Sequence, residues 1–146
     1  MTYARDILGA RYFVALAVHH DHYDLWDSSH HNWNSVNVGP KRDIIGEFAA
    51  STKKAGLPFG VSSHDDRFLG WFRPAFGSDR DGPRKGESYD GRMTVADGKG
   101  KWWERLDPTE LYGLPPEKRT PEWEKATMDT WLQRHIELLE EYEVDQ

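Results

Sequence analysis

The hydrophobic pattern of the chain switches between short unbroken apolar runs and stripes at helical spacing. Tyr3 to Leu8 read as the tail of a helix closed by Gly9. Arg11 to Val18 (RYFVALAV) is a nearly continuous apolar run, which predicts a strand buried on both faces, of the parallel-sheet type. A polar loop follows from His19 to Lys41, with Asn32, Asn34, Gly39 and Pro40 as turn formers. From about Asp43 to Ala55, the residues Ile44, Ile45, Phe48, Ala49 and Thr52 fall on one helical face. Asp43 suits the positive end of that helix, Lys53 and Lys54 its negative end, and Gly56 its close. Leu57 to Ser63 (LPFGVSS) is a second strand-like run, so strand, helix and strand form a βαβ unit.

The stretch from Asp65 to Arg119 is different: rich in Gly, Asp, Arg and Pro, with little sustained periodicity beyond a helical turn at Asp107 to Tyr112. An excursion of this length is either functional or disordered. Its aromatics, Phe68, Trp71, Phe72, Phe76, Trp102 and Trp103, favour an ordered lid. The last helix announces itself with Thr120 as N-cap, Pro121 at the first helical position and Glu122 and Glu124 in the first turn. Trp123, Thr127, Trp131, Leu138 and Tyr142 make a stripe that would cover a sheet. The whole is an α/β layer pattern. With only two visible strands, it reads as an internal piece, residues 1–146, of a larger barrel or doubly wound domain, incomplete at both ends. A full (β/α)8 barrel needs about 250 residues.

Composition narrows the function classes. The net charge is −6 with acids and bases interspersed, unlike the basic stripe of a nucleic-acid binder, so no nucleic-acid partner is expected. No apolar run approaches a membrane span, and no membrane partner is expected. The absence of cysteine excludes disulfides and thiolate metal sites and leaves the compartment open. Apolar residues make up only 37% of the chain, although seven Trp, six Tyr and six Phe add bulky core material.

In parallel α/β folds, sites form at the C-terminal ends of strands. His19, His20 and Asp21 end the first strand, and Ser63, His64, Asp65 and Asp66 end the second, so both sets should face one mouth. Three readings of His19 and His20 stand open. The first is recognition of a small polar ligand such as a sugar, with Trp26 or Trp33 stacking on an apolar ring face. The second is a metal site using His19, His20, His22 and His64 with Asp21 and Asp24. Against it, adjacent residues of an extended strand end point to opposite sides, and the helical H-E-x-x-H geometry is missing. The third is purely structural, one imidazole in the core and one in the loop. His30 and His31 read as surface residues and His135 as structural. Asp65, Asp66, Asp79 and Asp81 could include a general acid or base, but with no apolar partner in sequence they read as solvated loop acids, and Glu137, Glu140, Glu141 and Glu143 as a solvated helix face.

The segment HHDHYDLWDSSHHNWNSVNVGPKRDIIGEF, followed by KKAGLPFGVSSH, resembles the α-L-fucosidases of glycoside hydrolase family 29. Members carry His-His-Asp at the end of a barrel strand, then an aromatic and Leu-Trp, then Trp/Phe-Asn-Ser, Gly-Pro-Lys-Arg-Asp and Ala-Gly-Leu. Here these are His19-His20-Asp21, Leu25-Trp26, Trp33-Asn34-Ser35, Gly39-Pro40-Lys41-Arg42-Asp43 and Ala55-Gly56-Leu57, a resemblance that covers about residues 9–64.

The resemblance implies a (β/α)8 TIM-barrel-like catalytic domain that releases terminal α-linked L-fucose from a glycan or glycoside. It implies retention of configuration through an aspartate nucleophile, and no cofactor or metal. His19 and His20 match the pair that bonds fucose hydroxyls, and Trp26 matches the tryptophan that follows. The chain departs from the pattern at Ser62, where many members have a sugar-contacting Tyr, so His64 is expected to take over polar contact. His22 stands where Gly is common and is expected to crowd the mouth or add a donor to it. The nucleophile is expected beyond Gln146, with Val144-Asp145 aligning with the start of the strand that carries it. This chain alone is therefore expected not to hydrolyse aryl α-L-fucosides. If it folds alone, its exposed strand edges call for cover, for instance by self-association.

Overall fold

Two parallel strands and the helices on one side of them organise the chain, for which a computed structural model describes residues 1–145. The helices are α1 (Thr2–Asp6), α2 (Ile44–Lys54), α3 (Phe68–Trp71), α4 (Pro108–Tyr112) and α5 (Pro121–Glu141), and the strands are β1 (Phe13–Val18) and β2 (Phe59–Ser63). β1 and β2 pair in parallel, from Phe13 opposite Phe59 to Leu16 opposite Ser62, with an irregularity before Val18 meets Ser63. The βαβ reading of the sequence therefore holds, with α2 in the crossover.

Local chemistry fixes the helix ends. The Asp43 carboxylate accepts from the Gly46 N–H at 2.8 Å, and its other oxygen accepts from the Tyr142 hydroxyl at 2.9 Å, so the cap also ties α2 to the end of α5. Gly56, at φ +67°, ends α2 in a conformation that favours glycine. The Thr120 hydroxyl accepts from the Trp123 N–H at 3.2 Å and opens α5.

The core is the layer between the sheet and α2 and α5: Ala15, Ala17, Val18, Trp26, Ile45, Phe59 and Leu138. The other face of β1 is open. Val14 and Leu16 are 42% and 44% exposed, which corrects the expectation of a strand buried on both faces. An apolar run gives no information on whether the second covering layer belongs to the same stretch of chain. The stripe on α5 also differs from expectation, because Arg134 is buried with Leu138 on its inner face.

The excursion is ordered and packs on the loop after β1. Short 3-10 turns punctuate it, Phe68, Phe76 and Trp103 are buried, and the Trp33 indole donates to the Asp107 carbonyl at 2.7 Å. Gly98 is required there, since a Cβ would sit 2.6 Å from the Trp103 ring.

Candidate active-site mouth

β1 ends at Val18 and the chain turns at once, with the His22 N–H donating to the His19 carbonyl at 2.9 Å. The turn cancels the strand alternation that should have separated His19 from His20. Their rings lie 4.7 Å apart, centroid to centroid. From the end of β2, the His64 N–H donates to the Val18 carbonyl at 3.0 Å and brings its ring to 4.8 Å from His19 and 4.4 Å from His20. His64 Nδ1 faces His19 Nε2 at 3.1 Å. The predicted meeting of two strand ends at one mouth is therefore present.

Trp26 does not join it. The ring is fully buried in the core, and its indole N–H donates to Glu137 at 3.2 Å, so it has no face to offer a ligand. The indole that stands beside the histidines is neither Trp26 nor Trp33 but Trp71, at the end of α3. Trp71 is 57% exposed, with its ring 5.3 Å from His20 and 6.3 Å from His19. Its place in an aperiodic excursion hid that position in the sequence.

Behind the mouth lies a buried charged cluster. The Arg134 guanidinium forms a two-pronged pair with Asp24, Nε donating to Oδ2 at 2.9 Å and Nη2 to Oδ1, with both side chains out of solvent. Asp65 Oδ1 accepts from the Ser63 hydroxyl at 2.8 Å and the Trp131 indole at 2.9 Å. Its Oδ2 lies 3.2 Å from His22 Nδ1 and 3.5 Å from Arg134 Nη1. Burial opposes its charge, but hydrogen bonds from His135, His22 and Trp131 and the Arg134 charge outweigh that and hold the carboxyl well below the usual carboxylate range. The expectation that Asp65 is a solvated loop acid is therefore corrected: it is a buried carboxylate tied to His22, Trp131, Ser63 and Arg134.

His22 belongs to this cluster and not to the mouth. Its backbone is left-handed, φ +56°, where glycine is at ease and another residue costs about 1–2 kcal/mol. Offsetting that, the ring stacks flat on Phe68 at 3.7 Å and meets Arg134 Nη1 at 2.9 Å through Nε2. Burial pushes its pKa down to about 3. The ring is thus neutral, with Nδ1–H toward Asp65 and Nε2 accepting from Arg134. It neither crowds the mouth nor adds a donor to it.

His31, expected at the surface, is buried, with Nε2 3.2 Å from the Glu110 carbonyl and Nδ1 3.3 Å from Asp24. His135 is held by the Trp131 carbonyl at 2.7 Å through Nδ1 and by the Ser63 hydroxyl at 2.6 Å through Nε2. Glu137, expected on a solvated face, accepts from Trp26, from the Ser28 hydroxyl at 2.9 Å, and from the Ser29 N–H at 2.8 Å and hydroxyl at 2.5 Å. One signal for this network was present in the sequence. Arg134 sits three residues after Trp131 and four before Leu138, on the apolar stripe, and a cation there needs a buried acid.

Comparison with known proteins is consistent with this geometry. The α-L-fucosidase family model matches residues 4–146. A putative α-L-fucosidase of Caenorhabditis elegans is 45% identical over 69 residues, 47% of this chain and 14% of that protein. An α-L-fucosidase of Dictyostelium discoideum is 42% identical over 72 residues, 49% of this chain and 15% of that protein. A solved Thermotoga maritima α-L-fucosynthase, in complex with α-L-Fuc-(1-2)-β-L-Fuc-N3, aligns at 25% identity and a TM-score of 0.50, over 99% of this chain and 25% of that one. The matched stretches thus span only about a seventh of the curated relatives.

Proposed function

The chain belongs to the α-L-fucosidase family, and from that premise we propose that it is the sugar-gripping sector of a retaining glycoside hydrolase that releases terminal α-L-fucose from glycans or glycosides. The observation that carries this reading is the convergence of His19, His20 and His64, with Trp71 beside them, at the C-terminal ends of two parallel strands. Imidazole nitrogens bond vicinal hydroxyls, and an indole face packs against the apolar C–H face and methyl group of a deoxy sugar. His19, His20 and His64 are the polar contacts, and Trp71 takes the part first expected of Trp26.

In this reading residues 1–146 are part of one catalytic (β/α)8 barrel. α2 and α5 lie on the outer face of β1 and β2, and Val14 and Leu16 point to where the barrel interior would pack. The two-stranded sheet also supports self-association of the chain by itself, through its strand edges and open face. Among the described residues no helix is long and apolar enough to cross a membrane.

A retaining mechanism needs two carboxyl groups about 5–5.5 Å apart. Asp65, beside the mouth, is committed to His22, Trp131, Ser63 and Arg134, so no catalytic carboxylate is assigned to it. Calorimetric titration of the chain with L-fucose tests the reading. Weak binding that is lost in His19→Ala and His20→Ala supports it. No heat at millimolar sugar, with the chain folded, overturns it.

A further inference from the structure

Three imidazoles at one open mouth offer a chemistry that the sugar reading does not use. His19, His20 and His64 each present a ring nitrogen, and the three nitrogens lie within 4.8 Å of one another. His19 Nε2 and His64 Nδ1 already face each other at 3.1 Å. Two such nitrogens share one proton or none, so a lone pair is available between them. His20 Nδ1 is buried and has no hydrogen-bond partner. His64 is exposed, so the trio opens to solvent. The nearby carboxylate, Asp65, is turned away into the buried cluster.

We propose that His19, His20 and His64 form a three-imidazole site for a borderline divalent transition-metal ion, of which Zn2+ is the probe of choice, and that an ion there excludes the sugar. All-nitrogen donors suit Zn2+, Ni2+ and Cu2+ and disfavour Mg2+ and Ca2+. Zinc bonds imidazole at about 2.0–2.1 Å, which sets tetrahedral nitrogens about 3.4 Å apart. Two of the nitrogens are already 3.1 Å apart and none is more than 4.8 Å from another, a gap that side-chain rotation can close. The fourth position faces solvent, as in sites that keep an exchangeable water. Residue 64 decides the matter, because with an apolar or phenolic ring there only two imidazoles remain.

The experiment is calorimetric titration of the chelator-treated, tag-free chain with Zn2+, with Co2+ absorption as a readout of coordination. The expected result is one ion per chain. Affinity should fall by more than about 100-fold in His64→Phe and in His20→Ala, since loss of a mere outer-sphere partner already weakens metal binding 10–100-fold. His30→Ala, an exposed histidine outside the trio, should bind as the unaltered chain does. Circular dichroism confirms that each variant is folded, and His64→Tyr serves if the phenylalanine variant is not. Failure to bind a stoichiometric ion, or equal affinity in the folded position-64 and His20 variants, overturns the site. Titration with L-fucose at saturating Zn2+ separates the two readings. If zinc binds through the trio and fucose binding is unchanged, the sugar assignment and the exclusion both fall and the metal site alone stands. If fucose binds and zinc does not, the metal inference falls alone. If neither binds, both fall.

Discussion

His22 is 5% exposed, lies flat on Phe68 and has its ring nitrogens engaged by Asp65 and Arg134. His20, two positions earlier, keeps a buried nitrogen without a partner and stands beside exposed Trp71. Of the inner set, His22 and His135 bind α5 to the loop after β1 and to the end of β2, and His31, its Nδ1 3.3 Å from the Asp24 carboxylate, binds that loop to α4. The outer set, His19, His20 and His64, has little to satisfy it except one another. The same side chain is thus either committed to acids and a cation or left facing other imidazoles and solvent.

Breaking the inner set should have the largest effect. Arg134→Met leaves Asp24 and Asp65 as buried carboxylates without their cation, and urea denaturation should show a loss of about 3–5 kcal/mol. Acid acts on the same cluster. The His22 pKa of about 3 in the folded chain lies below the unfolded value of about 6.5, so the unfolded chain takes up the proton first as pH falls. Stability is complete above that range and should drop by about 2 kcal/mol between pH 7 and pH 5, a slope that His22→Gln abolishes. Below about pH 4, Asp65, held low in the folded state, adds loss of the same sign.

Ser63 stands between the sets, its hydroxyl shared by Asp65 and His135, and Ser63→Ala should cost about 1 kcal/mol. His20→Ala should change stability by no more than about 0.5 kcal/mol, yet remove fucose binding in calorimetry. If His20→Ala destabilises as much as Arg134→Met does, the division between the two sets is lost.

Much of the scaffold was legible because its signals are local. Asp43 and Gly56 bracket α2, Thr120 and Pro121 start α5, and the strand-end rule brings His64 to His19 and His20. The buried cluster was illegible for the opposite reason. Arg134 and Asp24 are 110 residues apart, and Trp26 and Glu137 are 111 apart, so Asp65 and Glu137 look like solvent-facing acids, and Asp24 like a candidate metal donor, until their partners are placed. The pairing of His19 with His20 was misjudged because alternation was extended two residues past the end of β1. Trp71 was missed because nothing periodic surrounds it.

Glu137 gathers the loop after β1 at Trp26, Ser28 and Ser29, and Glu110 holds it at His31 and Asn32. These clasps reach back 78 to 111 residues. On a ribosome, the histidine segment leaves the tunnel long before the side chains that fasten it exist. The loop from Trp26 to Asn32 therefore cannot set until α5 emerges, and until then the Trp26 surface is available to chaperones or to misassembly.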